Sequence, residues 1–278
     1  MKSLPPQKLY TPFDTGQYSF HVGLETLSQD AQIFSIDDQL PRYRDNKEAI
    51  RKSNPGDHIG TKEISAELHE SVTRWLVGRT VDEHPEHFSP DTATSFEEIA
   101  LQLQEDLAII HVPEKGEDRL VAVHVCAPSG WDPSEKLGKS FLEIHEPIPE
   151  MQHINKNADN MMRALTRQGI RRRFVWGITF DDALNRHPKV ITHENRTHFN
   201  PDAPEVYVRV ERQCIIGFPE QSAFVFTIRT YMYDVLELSR EHRKNLRDAL
   251  LSLSPAIREY KGITDDVQPV VSWLSVGL

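Results

Sequence analysis

Two segments with strict period-two alternation, joined by a short turn, constrain this chain more than any other feature. Along residues 206–215, Tyr207, Arg209, Glu211 and Gln213 fall on one side, and Val206, Val208, Val210, Arg212 and Cys214 on the other. After Gly217-Phe-Pro-Glu-Gln the alternation resumes, with Ala223, Val225, Thr227, Arg229 and Tyr231 against Phe224, Phe226 and Ile228. This pattern suits two long paired strands, Glu205–Ile216 and Ser222–Tyr231, and does not suit a helix. If the polar sides align, Arg209, Glu211, Gln213, Arg229 and Tyr231 converge on one sheet face. From periodicity alone, the same face is also readable as a solvated surface carrying ion pairs.

A further strand is expected over Arg173–Phe180, with loop between it and the paired segments. Leu107–Val112 and Leu120–Cys126 flank Pro113-Glu-Lys-Gly-Glu and predict a second hairpin. Between the two strand groups, Asp132 before Pro133, with Glu135 following, opens a helix expected to run to His145, where Pro147 stops it. In that helix Leu137, Phe141, Ile144 and His145 share the buried face. A helix from about Ile154 turns Ala158, Met161, Met162 and Leu165 inward and stops at Gly169. Helical spacing also predicts helices over Lys62–Arg79, from the Ser95/Glu98 cap, over Ser239–Leu253 and over Pro269–Leu274. The first sixty residues show no sustained period, so 1–60 is expected to be an irregular arm and 61–278 the main domain. The order of two strands, a helical middle and three antiparallel strands predicts an α+β fold of PAS-like topology, with added helices at both ends.

Composition narrows the partners. Asp plus Glu number 42 against 32 for Lys plus Arg, an excess that disfavours nucleic acid. Arg171 and Arg172 of the basic run fit a solvated strand edge. Cys126 and Cys214 are too few for a disulfide framework or a four-thiolate zinc or iron–sulfur site. No apolar run reaches the length of a membrane span or signal peptide, so a cytoplasmic protein without membrane contact is expected.

Val-Arg-Val-Glu-Arg-Gln at 208–213 and Phe-Thr-Ile-Arg-Thr-Tyr at 226–231 resemble the signature segments of the haem-dependent oxidative N-demethylase alpha-subunit-like family. The resemblance extends through Leu-Gln-Leu-Gln-Glu-Asp-Leu at 101–107, Pro128-Ser-Gly-Trp131, Lys136-Leu-Gly138, Ile144-His-Glu-Pro-Ile-Pro149 and Tyr260-Lys-Gly262. It implies haem b in a PAS-like domain that activates dioxygen and, as a monooxygenase component, removes a methyl group from a small amine as formaldehyde. It also implies NADPH-derived electrons from a separate reductase carrying FMN and an iron–sulfur cluster. On matching positions the resemblance points to Arg209, Glu211, Arg229 and Tyr231 for catalysis. It points to His145, Trp176, Gln213 and Lys261 for cofactor binding, with His145 on the iron. Val175, where relatives carry Asn before Trp176, and Cys214, where Thr is usual, depart from the pattern. A haem-based gas or redox sensor and a non-catalytic family member are the alternatives.

Neutral imidazole is the commonest nitrogen ligand for haem iron. His145 is the first choice because it combines a buried helical face with a family motif, although a hydrogen-bonded core histidine would look the same. His124, in Val121-Ala-Val-His-Val-Cys, is second, and Cys214 as a thiolate ligand is weaker. His84 and His87, spaced by three in a loop, are expected to be solvated, as are His193 and His198. No G-x-G-x-x-G follows a strand, which places electron delivery on a partner.

Overall fold

The computed structural model describes residues 3–18, 23–146, 148–149, 157–167, 169–192, 197–263 and 267–276. Its centre is one antiparallel sheet of seven strands: β1 (Glu25–Leu27), β2 (Ile59–Thr61), β3 (Asp106–His111), β4 (Arg119–His124), β5 (Ile170–Thr179), β6 (Tyr207–Phe218) and β7 (Ala223–Asp234). Spatial order is β1-β5-β6-β7-β3-β4-β2. The inner five follow the PAS-like topology, and β1 and β2 extend its two edges. The predicted α+β class and both hairpins are therefore present.

β6 and β7 pair along their whole length, and the connection is a single 3-10 turn, Pro219–Gln221. Gly217 must be glycine: a Cβ there would lie 2.0 Å from the Arg167 carbonyl oxygen, in the turn leading to β5. In an antiparallel pair, directly opposed residues share a face. The register sets Arg209 opposite Met232, Glu211 opposite Thr230 and Gln213 opposite Ile228, whereas Arg229 lies opposite Arg212 and Tyr231 opposite Val210. The expected convergence of five polar residues is thus corrected. Arg209, Glu211 and Gln213 occupy one face, here the front, while Arg229 and Tyr231 join Arg212 on the back. Alternation fixed each strand's sides, but only register says which sides meet.

The back face is deeply covered. Helices α1 (Leu40–Ser53), α2 (Ala66–Glu83) and α3 (Phe96–Gln102) flank one end, where Leu68, Val72, Leu76 and Ile99 pack on Leu107, Ile109 and Val225. Burial of such side chains contributes about 1.5–3 kcal/mol each. At the other end, α7 (Arg240–Ser252) and α9 (Gln268–Ser275) bring Leu246, Leu250, Val270 and Leu274 onto Val208, Val210 and Tyr231. A short helix, α8 (Pro255–Tyr260), which periodicity did not indicate, joins them.

The N-terminal third departs from expectation. Residues 1–60 include β1 and the fourteen-residue α1, so the segment is not irregular throughout. Buried positions of α1 are Leu40, Tyr43, Lys47 and Ile50, and the period is hidden because a lysine occupies one of them. The Lys47 ammonium bonds the Ala100 carbonyl at 2.8 Å and the Glu105 carbonyl. Helix α2 begins four residues later than the predicted Lys62, because the Ser65 hydroxyl caps Leu68 N–H.

Front-face cover comes from the middle segment. The Asp132 cap and Pro133 start are as expected, but the single helix to His145 is two: α4 (Pro133–Lys136) and α5 (Phe141–His145). Gly138, at φ 85°, breaks the run, and Ser140 with Glu143 forms a fresh capping box. Helix α6 (Ala158–Leu165) buries Ala158, Met162 and Leu165, with Met161 partly buried. The expected start near Ile154, the Pro147 stop and His193 lie outside the described residues. Among the described residues, no helix is long and apolar enough to cross a membrane.

Candidate functional site

The front of β5 and β6 carries a continuous polar rail. The Arg173 Nε donates to Gln213 Oε1 at 2.6 Å, Gln213 Nε2 donates to Glu211 Oε2 at 3.0 Å, and Arg209 Nε reaches Glu211 Oε1 at 3.4 Å. Period two aligns these residues because Arg173 opposes Gln213, Val175 opposes Glu211 and Gly177 opposes Arg209. Half-buried Val175 and Gly177 floor the adjoining space, and a Cβ on Gly177 would meet nothing within 4 Å. Beside Gly177, at the Arg209 end of the rail, the front face is therefore open among the described residues.

Arg209 is largely committed. Its Nη1 donates to the Leu184 carbonyl at 3.3 Å, and its Nη2 donates to the Ala127 carbonyl and to Thr230 Oγ1, the latter at 3.2 Å. It is only 3% exposed and ties the loops around 127 and 184 to the sheet. Leu184 and Met232 pack beside this strut. Glu211 keeps some exposure at 16% of its side chain, so the carboxylate is the accessible member of the pair.

His145 stands across from Arg173 at the end of α5. Its Nδ1 donates to the Phe141 carbonyl at 2.8 Å, and the two rings meet at a tilt of 32° with centroids 4.1 Å apart. A neutral ring with its proton on Nδ1 presents its lone pair at Nε2. Burial lowers the imidazole pKa to about 4, with the charges of Arg173 and Lys136 acting in the same direction against the Phe141 hydrogen bond. This is the protonation state and carbonyl support that a metal-ligating histidine requires.

Lys261 closes the site from the free edge of β5. It follows α8, and its ammonium donates to the Trp176 carbonyl, 5.1 Å from the Tyr18 ring centroid and 5.8 Å from that of Trp176. Burial brings its pKa down to about 8, while the Glu211 carboxylate opposes the shift. Trp176 itself points its ring to the back, packing with Phe13 at 5.6 Å. Of the predicted cofactor residues, His145 and Gln213 therefore lie on the front face and Lys261 at its edge, while Trp176 contributes only its backbone there.

Arg229 and Tyr231 lie behind the sheet. The Arg229 guanidinium pairs with Asp37 at 2.9 Å between the Tyr43 and Tyr231 rings, and Arg212 pairs with Glu105 at 3.1 Å. Burial raises the Tyr231 phenol to about 12, against the neighbouring guanidiniums, and its hydroxyl bonds Ser35 at 3.1 Å. His124 also faces back: its neighbour in register is Leu107, and burial drops its pKa to about 3. Cys214 is a buried thiol with its pKa raised by that burial. His84, expected to be solvated, is instead buried and bonds the Phe34 carbonyl at 2.9 Å, while His198 is exposed. Among the described residues, no group of three or more His, Cys, Asp or Glu side chains could hold a metal ion.

Arg173 was missed by the sequence reading, which treated its two predecessors as a solvated edge and left it unassigned. Extending the alternation of β5 against Gln213 would have found it.

A model of the family described as haem-dependent oxidative N-demethylase, alpha subunit-like matches residues 89–271. The match covers well over half of the chain and includes His145, Arg173, Arg209, Glu211, Gln213 and Lys261. This chain belongs to the haem-dependent oxidative N-demethylase alpha-subunit-like family.

Proposed function

We propose that the chain is the haem b-binding oxygenase component of a monooxygenase that N-demethylates a small amine, releasing formaldehyde, with electrons from a separate reductase. The observation that carries this reading is the His145 imidazole: neutral, braced at Nδ1 by the Phe141 carbonyl, and within electrostatic reach of Arg173 on the polar front face. The residues fit the group that the family implies. His145 Nε2 would take the iron, and Val175, Gly177 and Gln213 would border the ring. Bound haem supplies reductive activation of dioxygen. Glu211 would hold an ammonium substrate or move a proton at its carboxylate, the accessible acid of the rail. Arg209 would act through Glu211, orienting that carboxylate, since its own donors are spent on carbonyls and Thr230. Two cysteines cannot build a conventional iron–sulfur relay, consistent with FMN and iron–sulfur centres on the partner.

The test is to record absorption spectra of the purified chain, oxidised, reduced and with carbon monoxide. Formaldehyde is then measured from small methylated amines with NADPH, with and without a flavin and iron–sulfur reductase. A haem spectrum and reductase-dependent formaldehyde are expected. A chain that takes up no haem overturns the proposal, and sustained formaldehyde without the reductase overturns its two-component form.

A further inference from the structure

The loop over 181–191 is tied down at the Arg209 end of the sheet. The Arg186 N–H donates to the Pro128 carbonyl at 3.1 Å, the Gly130 N–H to the Arg186 carbonyl at 3.0 Å, and Arg209 Nη1 to the Leu184 carbonyl at 3.3 Å. Beside these bonds two buried imidazoles meet: His58, just ahead of β2, and His187 of the loop are 2% and 1% exposed, with ring centroids 4.8 Å apart. His58 Nδ1 lies 2.9 Å from the Val125 carbonyl. A carbonyl only accepts, so Nδ1 carries the proton and Nε2 presents its lone pair, here to Asn185 Nδ2 at 3.5 Å. The Asn185 amide is held in that sense because its Oδ1 accepts the His187 N–H at 3.1 Å. His187 Nδ1 accepts the Lys189 N–H at 3.1 Å, and its Nε2 stands 3.3 Å from Asp132 Oδ2.

This arrangement requires a neutral His58. A proton on Nε2 would turn one N–H donor against another at Asn185 and press a cation against the His187 ring. The acids near His58 are otherwise engaged. Asp57 pairs with Lys189 at 2.7 Å, Lys189 also reaches Asp132 at 3.6 Å, and Asp106 accepts the Cys126 and Ala127 N–H groups with Lys47 at 3.8 Å. His124, in the neighbouring strand, is held neutral by its own burial. Burial lowers the His58 pKa, a charge on His187 acts in the same direction, and the Val125 bond, Asp106 and Asp57 oppose it. We propose that His58 is a proton-controlled latch: neutral, it holds the loop over 181–191 through Asn185 and His187, and protonated, it releases the loop and frees the Leu184 carbonyl from Arg209. Once the loop is released, His58 returns to the ordinary histidine value of about 6.5. The latch is therefore complete above that pH and is lost as pH falls toward the lowered value. It needs no cofactor, so it stands apart from the proposed function.

The experiment is amide hydrogen exchange on the full chain at about pH 7.5 and about pH 5.5, corrected for intrinsic exchange rates. Protection over 186–191 is expected to fall several-fold at the lower pH, with about tenfold as the ceiling for one proton over that interval, while β6 and β7 keep theirs. His58→Gln keeps an acceptor for Asn185 that does not titrate, so its loop protection should be the same at both pH values. In the unaltered chain, the imidazole nitrogen shifts of His58 should titrate below about pH 6.5, with a midpoint that coincides with the loss of loop protection. This second measurement decides the matter if the glutamine variant does not fold. Unchanged loop protection in the unaltered chain, an undiminished pH effect in His58→Gln, or two separate midpoints would each overturn the latch.

Discussion

The Nδ1 of His145 donates to the carbonyl oxygen of Phe141, one helical turn earlier, at 2.8 Å, while the Phe141 ring packs at a tilt against the imidazole. A five-residue helix thus fixes both the tautomer and the plane of the ring. The arrangement follows from the Gly138 break: a continuous helix from Pro133 would have set His145 relative to Leu137, whereas the Ser140 cap starts a new turn whose first and last residues pair.

His145→Ala is expected to weaken haem retention by at least roughly 10- to 100-fold, because even support residues of metal ligands contribute on that scale. Soret absorbance of the purified variant measures it. Full haem content with an unchanged ferric spectrum would move the ligand away from His145.

Glu211→Gln keeps the shape of the rail and removes its charge. Reductase-supported formaldehyde production should fall by roughly 100-fold or more if the carboxylate moves a proton in the reaction. Stability should drop by no more than about 1–2 kcal/mol, read from urea unfolding, because only part-exposed contacts to Arg209 and Gln213 are altered. Unaltered turnover would return Glu211 to a structural ion pair.

Arg229 should behave oppositely. Arg229→Met strands the buried Asp37 carboxylate and should cost about 3–5 kcal/mol in urea unfolding. Tyr231→Phe loses one hydrogen bond to Ser35 and should cost about 1 kcal/mol. In either variant the folded fraction should retain the haem spectrum. A large change in turnover with normal stability would instead return these two residues to catalysis.

Acid sensitivity should track His124. It is completely buried, its Nε2 has no hydrogen-bond partner among the described residues, and burial lowers its pKa to about 3. The folded state therefore binds fewer protons than the unfolded chain below the ordinary histidine pKa of about 6.5. Its stabilising contribution is complete above that pH and declines toward about pH 3, at up to roughly 1.4 kcal/mol per pH unit. Urea midpoints between pH 7 and 5 should fall for the unaltered chain and fall less for His124→Leu. Parallel slopes would show that other groups dominate.

The five inner strands, the hairpin turns and most helix starts were legible in the sequence, since period two, the Gly217 turn and caps such as Ser95, Asp132 and Ser239 are local signals, whereas the short edge strands β1 and β2 were not. The sequence also indicated Arg209, Glu211 and Gln213 as one group, because they alternate on a single strand. Only the tertiary structure decided which sides of β6 and β7 coincide. Cross-strand register depends on packing against both layers, and it carried Arg229 and Tyr231 to the back face. Tertiary packing likewise concealed α1, whose buried Lys47 is stabilised by the distant carbonyls of Ala100 and Glu105. Arg173 and Lys261 join the site for the same reason: one lies on a strand and the other after a helix far along the chain.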